Sequence, residues 1–180
     1  ISGGQVGAIE ARLSIMCGGA EADFEEAREV MQAYGKKITL VGGPGMGQVA
    51  KARNQVLVAV GILAVAEALN LAEALGADAQ KVLAAVQGGA AASGSLDVLG
   101  PKMLAGDDSA GFYVKHQTKD LRIILEEASR TRTPVPATAL ARELYKPVQS
   151  RGGDLCGNHT LYRSLQIMSG KEWSPKQVKS

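Results

Sequence analysis

A lysine and two side-chain amides follow a glycine-rich loop at spacings that could support acid–base chemistry. Lys51 stands four residues after Gly47, and Asn54 and Gln55 follow the lysine at i+3 and i+4. In a helix these three side chains share one face. A lysine in the first turns of a helix feels the positive end of the helix dipole, and partial burial acts in the same direction. Both effects disfavour the charged form of Lys51 and suit it to general acid–base catalysis. The alternative is a solvated lysine on the surface.

The glycine-rich loop, residues 42–47, invites comparison with a dinucleotide-binding loop because it follows the apolar run 38–41. Gln48, however, replaces the third glycine of the G-x-G-x-x-G pattern. A dinucleotide-binding unit also needs a second strand about 20 residues further on, with an acid that binds the ribose. The corresponding place, near Glu67, lies inside a helical pattern. The loop is therefore not predicted to hold a pyrophosphate, and its glycines are expected to let a helix start close to a substrate.

The segment before this loop reads as strand, helix, strand. Residues 13–17 and 36–41 are β-prone, and residues 22–34 carry apolar side chains at helical spacing. A β-α-β piece of this size is not a stable domain, because isolated pairs of strands are marginal. Residues 1–42 are therefore predicted to be the tail of a larger sheet.

From residue 43 onward the pattern is helical. The longest helix is predicted from Gln48 to about Leu75, and its middle, residues 56–66, is apolar on all faces. Such a helix is expected to be buried on all sides, and about 11 apolar residues are too few to span a membrane. Further helices are predicted over 77–86, 95–104 (interrupted by Gly100-Pro101), 114–130, 137–150 and 158–169, with a frayed tail over 171–180.

The predicted fold class is thus mainly α: a helical bundle around one long central helix, preceded by a small β-α-β remnant. The predicted domains are residues 1–42 and 43–180.

Composition argues against several classes of function. The formal net charge is +2 and aromatic residues make up 4% of the chain, which favours neither nucleic acid nor a membrane surface as a partner. Cys17 and Cys156 match no metal or redox spacing, and His116 and His159 are the only histidines. We therefore expect no metal site, no disulfide framework, no signal peptide and a cytoplasmic location.

Five segments together resemble the β-hydroxyacid dehydrogenase family. This is the group of 3-hydroxyisobutyrate dehydrogenase, tartronate semialdehyde (2-hydroxy-3-oxopropionate) reductase and, more distantly, 6-phosphogluconate dehydrogenase. The resemblance extends from residue 1 to about Ser169, and the segments keep the family's order and distances. They are Ser2-Gly3-Gly4-x-x-Gly7-Ala8, Leu13-Ser14-Ile15-Met16-x-Gly18-Gly19, Gly45-x-Gly47-x-x-x-Lys51-x-x-Asn54, Gly88-Gly89 with Leu96-Asp97, and Gly111-Phe112 with Lys119-Asp120-Leu121.

The resemblance implies a substrate site. Ser2, Gly3 and Gly4 match the loop that grips the substrate carboxylate through a hydroxyl and backbone N–H groups. Lys51 matches the catalytic lysine, which protonates the developing alkoxide in reduction and takes the proton in oxidation. Asn54 matches an amide that orients the substrate.

The resemblance also implies that the cofactor is NAD or NADP. Lys119 matches a lysine near the nicotinamide end of this cofactor, with Asp120 beside it, and Phe112 would lie by the cofactor or substrate pocket. The alternative for Asp120 is an ion pair on a helix surface, and for Phe112 it is packing in the core.

Departures from the family pattern bear on which amide contacts the substrate and on which branch of the family the chain resembles. Many members have Asn-Asn where this chain has Asn54-Gln55, so which amide touches the substrate stays open. The Lys-x-x-Asn-Gln form resembles the tartronate semialdehyde reductase branch. Arg53 stands where 6-phosphogluconate dehydrogenase usually has a histidine, which disfavours that activity.

The family's nucleotide-binding loop lies upstream of the serine-glycine-glycine loop and is absent from these 180 residues. The chain is therefore expected to be a C-terminal fragment that lacks the main cofactor-binding domain and turns over little or nothing alone.

The expected partners are a small hydroxy or oxo acid and further copies of the chain, as a homodimer or tetramer. The main alternative is a non-catalytic helical oligomerisation module. An imine reductase is a second alternative, against which the lysine–asparagine pair argues.

Overall fold

The computed structural model describes residues 1–175, and it confirms the predicted fold class. Helices dominate, one long helix stands among them, and a two-stranded parallel sheet precedes it. The chain divides into two compact units, one from Ile1 to Gln55 and one that begins at Val56. The predicted domain boundary between residues 42 and 43 stays a prediction.

The first unit contains the predicted β-α-β piece. Leu13 and Ile15 on the first strand are its buried apolar side chains. The strands are parallel, with Ile15 opposite Ile38 and Met16 opposite Thr39. A short helix at the start was not predicted, since Gly3 and Gly4 are poor helix formers. The elements are α1 (Gly4–Ile9), β1 (Leu13–Gly18), α2 (Glu21–Gln32) and β2 (Gly35–Gly42).

The long helix α3 runs from Met46 to Ala74. Its 29 residues correspond to about 43 Å at 1.5 Å per residue, and its bounds lie within two residues of the prediction. By length and composition alone α3 is apolar enough to cross a membrane. Core helices of soluble proteins share this property, and 44% of the apolar 18-residue stretch within α3 is buried inside the protein.

The prediction that the middle of α3 is buried on all sides is wrong. Ala59, Ile62 and Ala66 are fully buried, but Leu57 is 75% exposed. A helix that is apolar all round has no polar face to turn outwards, so packing on one side leaves apolar side chains uncovered on the other.

The second unit is helical throughout its described part. The predicted helix over 137–150 ends at Leu144 and a new one starts at Lys146, with Pro147 in its first turn. Gly100-Pro101 likewise opens a helix rather than interrupting one, because proline is tolerated at a helix start. The elements are α4 (Ala79–Val86), a π-helical turn (Ser95–Leu99), α5 (Gly100–Ala105), α6 (Val114–Thr131), α7 (Pro136–Leu144), α8 (Lys146–Gln149), two 3₁₀ turns (Gly153–Leu155 and Asn158–Thr160) and α9 (Leu161–Met168).

Buried polar groups organise the core of this unit. The Tyr145 hydroxyl, which is fully buried, donates a 2.8 Å hydrogen bond to the carbonyl of Asn158. The Asn158 amide in turn donates to Gln117 Oε1 at 3.1 Å. These bonds tie α6 and the segment after α7 to the 3₁₀ turn before α9.

The beginning of the tail is held in place, contrary to the predicted fraying. Lys171 Nζ lies 2.7 Å from Glu73 Oε2, and the Trp173 indole donates to Asp108 at 3.1 Å. The prediction for residues 176–180 lies outside the described residues.

Candidate substrate and cofactor site

Two glycines set the start of α3 against the end of β1. A Cβ on Gly47 would lie 2.6 Å from the carbonyl oxygen of Met16, and a Cβ on Gly18 would lie 2.6 Å from the backbone nitrogen of Gly47. Real Cβ atoms do not approach backbone so closely, so neither position has room for a side chain. Gly47 thus serves backbone packing, and Lys51 follows it one turn later on α3.

Lys51, Asn54 and Gln55 form one hydrogen-bonded group on α3. Lys51 Nζ donates to Gln55 Oε1 at 2.9 Å, and Asn54 Nδ2 donates to the same oxygen at 2.9 Å. Gln55 is only 4% exposed, whereas Lys51 and Asn54 are partly exposed. The structure brings together the lysine and both amides that share its helix face, and it makes Gln55 the acceptor that joins them.

The segment Ser2-Gly3-Gly4 lies in the same compact unit. The backbone of Ser2 pairs with Ser14 through hydrogen bonds of 2.8 and 2.9 Å. The N–H of Ser2 is therefore engaged in this pairing. Gly3 has φ +131°, and its Cβ would lie 2.8 Å from the Leu13 side chain, so this turn requires glycine.

Lys119, Asp120 and Phe112 belong to the second compact unit. Lys119 Nζ lies 2.6 Å from Asp120 Oδ1; the lysine side chain is 53% exposed and the aspartate 16%. The ion pair expected as the alternative for Asp120 is therefore present. The Phe112 ring is half-buried, with its centroid 5.9 Å from that of His116.

Lys119 also lines a cavity of about 380 Å³ that is rich in cationic side chains. Asp154 is the acidic residue in its lining. Outside the lining, Glu126 pairs with Arg122 and Glu143 pairs with Lys146. Such a cavity suits an anionic group better than a neutral one. The cations are Lys115, Lys119, Arg122, Arg142 and Lys146.

The histidines have structural neighbours. His159 is 2% exposed, and its Nε2 lies 2.5 Å from the carbonyl oxygen of Asp107, to which it donates. Burial lowers the pKa of His159. Among residues 1–175, no group of three or more His, Cys, Asp or Glu side chains could hold a metal ion.

Comparisons with known proteins agree with the resemblance seen in the sequence. A family model described as the NAD binding domain of 6-phosphogluconate dehydrogenase matches residues 1–43. A second, described as NAD-binding of NADP-dependent 3-hydroxyisobutyrate dehydrogenase, matches residues 45–165. The chain therefore belongs to the β-hydroxyacid dehydrogenase family.

Individual relatives show the same likeness. The chain is 41% identical over 169 residues to 2-hydroxy-3-oxopropionate reductase of Escherichia coli, covering 94% of this chain and 58% of that protein. It is 39% identical over 170 residues to a probable 3-hydroxyisobutyrate dehydrogenase-like protein of Arabidopsis thaliana, covering 94% and 50%. A solved structure of Mycobacterium tuberculosis 3-hydroxyisobutyrate dehydrogenase with L-serine has a TM-score of 0.82 at 30% identity, covering 92% and 59%. The chain thus spans about half to three-fifths of the length of these relatives.

Proposed function

We propose that this chain is part of an NAD(P)-dependent oxidoreductase that interconverts a small 3-hydroxy acid and its 3-oxo acid. The observation that carries the proposal is the group of Lys51, Asn54 and Gln55 on α3, in a chain of this family. The names of the relatives support it, since they include a 2-hydroxy-3-oxopropionate reductase and a dehydrogenase solved with L-serine, itself a 3-hydroxy acid. Tartronate semialdehyde and 3-hydroxyisobutyrate are the substrate types to test.

In this proposal Lys51 is the general acid and base. During reduction its ammonium gives a proton to the carbonyl oxygen as negative charge develops there, and during oxidation the neutral amine takes the hydroxyl proton. The Ser2 hydroxyl and the N–H groups of Gly3 and Gly4 bind the substrate carboxylate, and Asn54 orients the substrate on the same helix face.

The cofactor would contact the second unit at Lys119, with Asp120 and Phe112 nearby. The cationic cavity beside Lys119 fits an anionic group such as a dinucleotide carries. When bound, the cofactor supplies or accepts the hydride, while the protein's side chains orient the substrate and move the proton.

Substitution of Lys51 tests its role. In the full gene product, Lys51→Ala should abolish turnover of the hydroxy acid, because no other group would exchange the proton, while NAD(P)H binding stays nearly unchanged. Lys81→Ala is the control, since that lysine side chain is 85% exposed on α4. Assays of NAD(P)H oxidation and fluorescence titration of the cofactor give the two readouts. Retained activity in Lys51→Ala would remove the lysine from the mechanism.

We also propose that residues 1–42 complete the sheet of a nucleotide-binding domain whose remainder lies outside these 180 residues. The proposal is supported by the share of each relative that the chain covers. On this basis the isolated chain binds NAD(P)(H) poorly and turns over little or nothing. Comparing cofactor affinity of residues 1–180 with that of the full gene product tests this, and equal affinity would contradict it.

A homodimer or tetramer is the proposed assembly, and a non-catalytic oligomerisation module is the second candidate function. Exposed apolar side chains recur along α3 at intervals of seven residues, at Leu57, Ala64 and Leu71. This spacing keeps them on one stripe of the helix, which favours packing against another helix. The proposed location is the cytoplasm.

A further inference from the structure

We propose that Gln55 is a positioning residue that holds Lys51 and Asn54 as one unit and does so without adding charge. The inference rests on the proposed function of Lys51 as acid and base. It assigns a role to a residue that the resemblance to the family left undecided.

The chemistry of the donors fixes the orientation of both amides. An ammonium only donates hydrogen bonds, so the oxygen of Gln55 faces Lys51 Nζ, at 2.9 Å. Asn54 meets the same oxygen at 2.9 Å and must therefore present its Nδ2 to it. An amide oxygen has two lone pairs, and in Gln55 both are engaged by protein donors. Gln55 thus acts on the substrate through its two neighbours, while the Asn54 oxygen is directed away from this contact.

Burial makes Gln55 a suitable anchor. Its side chain is 4% exposed, whereas Lys51 is only partly buried. A lysine has four rotatable bonds, and ordering such a side chain has an entropic cost. An acceptor that is already held by its surroundings narrows the positions that Nζ adopts before any substrate binds.

The neutrality of Gln55 matters for a group that must both give and take a proton. A carboxylate at the same place would favour the charged form of the lysine. Lys51 would then release its proton less readily in reduction and would be protonated more often when oxidation needs the amine. An amide supplies the same acceptor geometry and leaves both protonation states accessible.

The test compares two substitutions of Gln55 in the full gene product. Gln55→Glu keeps the size and adds a charge, and Gln55→Met keeps the approximate volume and removes the acceptor. Gln32→Glu, on the exposed surface of α2 in the same compact unit, is the control for added charge. Circular dichroism and the thermal unfolding midpoint establish that each variant is folded.

The primary readout needs no substrate: acetylation of Lys51 by acetic anhydride, followed by mass spectrometry, as a function of pH. We expect Gln55→Glu to move the pH at which Lys51 becomes reactive upward by about one unit or more, and Gln32→Glu to leave it unchanged. In assays of turnover we expect Gln55→Met to lower kcat about tenfold to a hundredfold, with cofactor affinity within about twofold. Gln55→Glu should move the pH profile of kcat in the same direction as the labelling profile.

An unchanged labelling profile in Gln55→Glu, together with an unchanged kcat in Gln55→Met, would overturn the inference. If Gln55→Met fails to fold, the labelling profile of Gln55→Glu decides alone. The wild-type protein could turn over no 3-hydroxy acid while the labelling profile of Lys51 still shifts in Gln55→Glu. That result would contradict the proposed function and support the contact between Gln55 and Lys51.

Discussion

At the scale of single residues, two backbone positions determine where the candidate acid–base group lies. Gly18 ends β1 and Gly47 lies in the first turn of α3, and their backbones approach so closely that a Cβ on either would overlap the other segment. Lys51 follows one turn later on the same helix. Gly47 therefore bears on the position of Lys51 through close backbone packing.

Replacing Gly47 tests this packing. Gly47→Ala should lower the free energy of unfolding by about 1–3 kcal/mol, because the added methyl group meets backbone that must shift. Gly43→Ala is the matched control in the same loop, since its Cβ would meet nothing within 4 Å. Denaturant unfolding of both variants measures the difference. Equal stability of the two variants would show that the close approach relaxes without cost.

At the scale of elements, the end of α3 holds the segment that follows α9. The Tyr162 hydroxyl donates to Glu73 Oε1 at 2.6 Å, and Lys171 Nζ lies 2.7 Å from the other carboxylate oxygen. Partial burial pushes the pKa of Glu73 upward, but hydrogen bonds from Lys171 and Tyr162 outweigh it, so the net pKa is lowered. The ionised carboxylate is therefore part of the native structure.

The lowered pKa of Glu73 implies a stability that depends on pH. A carboxyl group whose pKa is lower in the folded than in the unfolded state contributes stability above its unfolded value, here 4.5. That contribution is lost as pH falls through the folded pKa. Glu73→Gln should therefore be less stable than the wild type near pH 6, with a difference that shrinks as pH falls below 4.5.

Unfolding by denaturant over this pH range measures that difference. Glu67→Gln, an exposed glutamate on the same helix, serves as the control and should show no such trend. A constant difference between wild type and Glu73→Gln across the range would contradict the assignment.

Helical periodicity was enough to predict most elements of this fold. The bounds of α3 and α6 follow from apolar spacing and from glycine or proline at the ends, signals that depend on local sequence. The break at Tyr145 was missed because Pro147 opens a new helix there, and α1 was missed because Gly3 and Gly4 are poor helix formers. The candidate site shows the same limit: spacing places Lys51, Asn54 and Gln55 on one face, but only side-chain geometry shows which amide accepts from the lysine.

At the scale of the whole molecule, the uncovered stripe of α3 is the feature that bears on assembly. Leu57 and Leu71 are more than half exposed although they belong to a long and strongly apolar helix. Exposed leucines at heptad spacing are typical of a helix that packs against another. The sequence shows the apolar composition of α3, but it carries no sign of which face a second copy would cover.

Charged substitutions on this stripe test the proposed oligomer. In the full gene product, Leu57→Glu combined with Leu71→Glu should convert a dimer or tetramer into a smaller species, because each buried charge opposes association. Leu140→Glu is the control, since Leu140 is similarly exposed, at 51%, on α7. Size-exclusion chromatography with light scattering gives the molecular mass. A monomeric wild type would contradict both the oligomer and the oligomerisation module.

The contrast between the two cysteines has a practical consequence for spectroscopy. Cys156 is 2% exposed, and burial raises the pKa of its thiol, so a thiol-reactive dye reaches it poorly. Cys17 is half-buried near the end of β1, with its Sγ 3.4 Å from Met31 Sδ, and lies beside the start of α3. Within these 180 residues Cys17 is therefore the more accessible attachment point for a fluorophore, in the same compact unit as Lys51, and the emission of that fluorophore would report on ligand binding without an engineered cysteine.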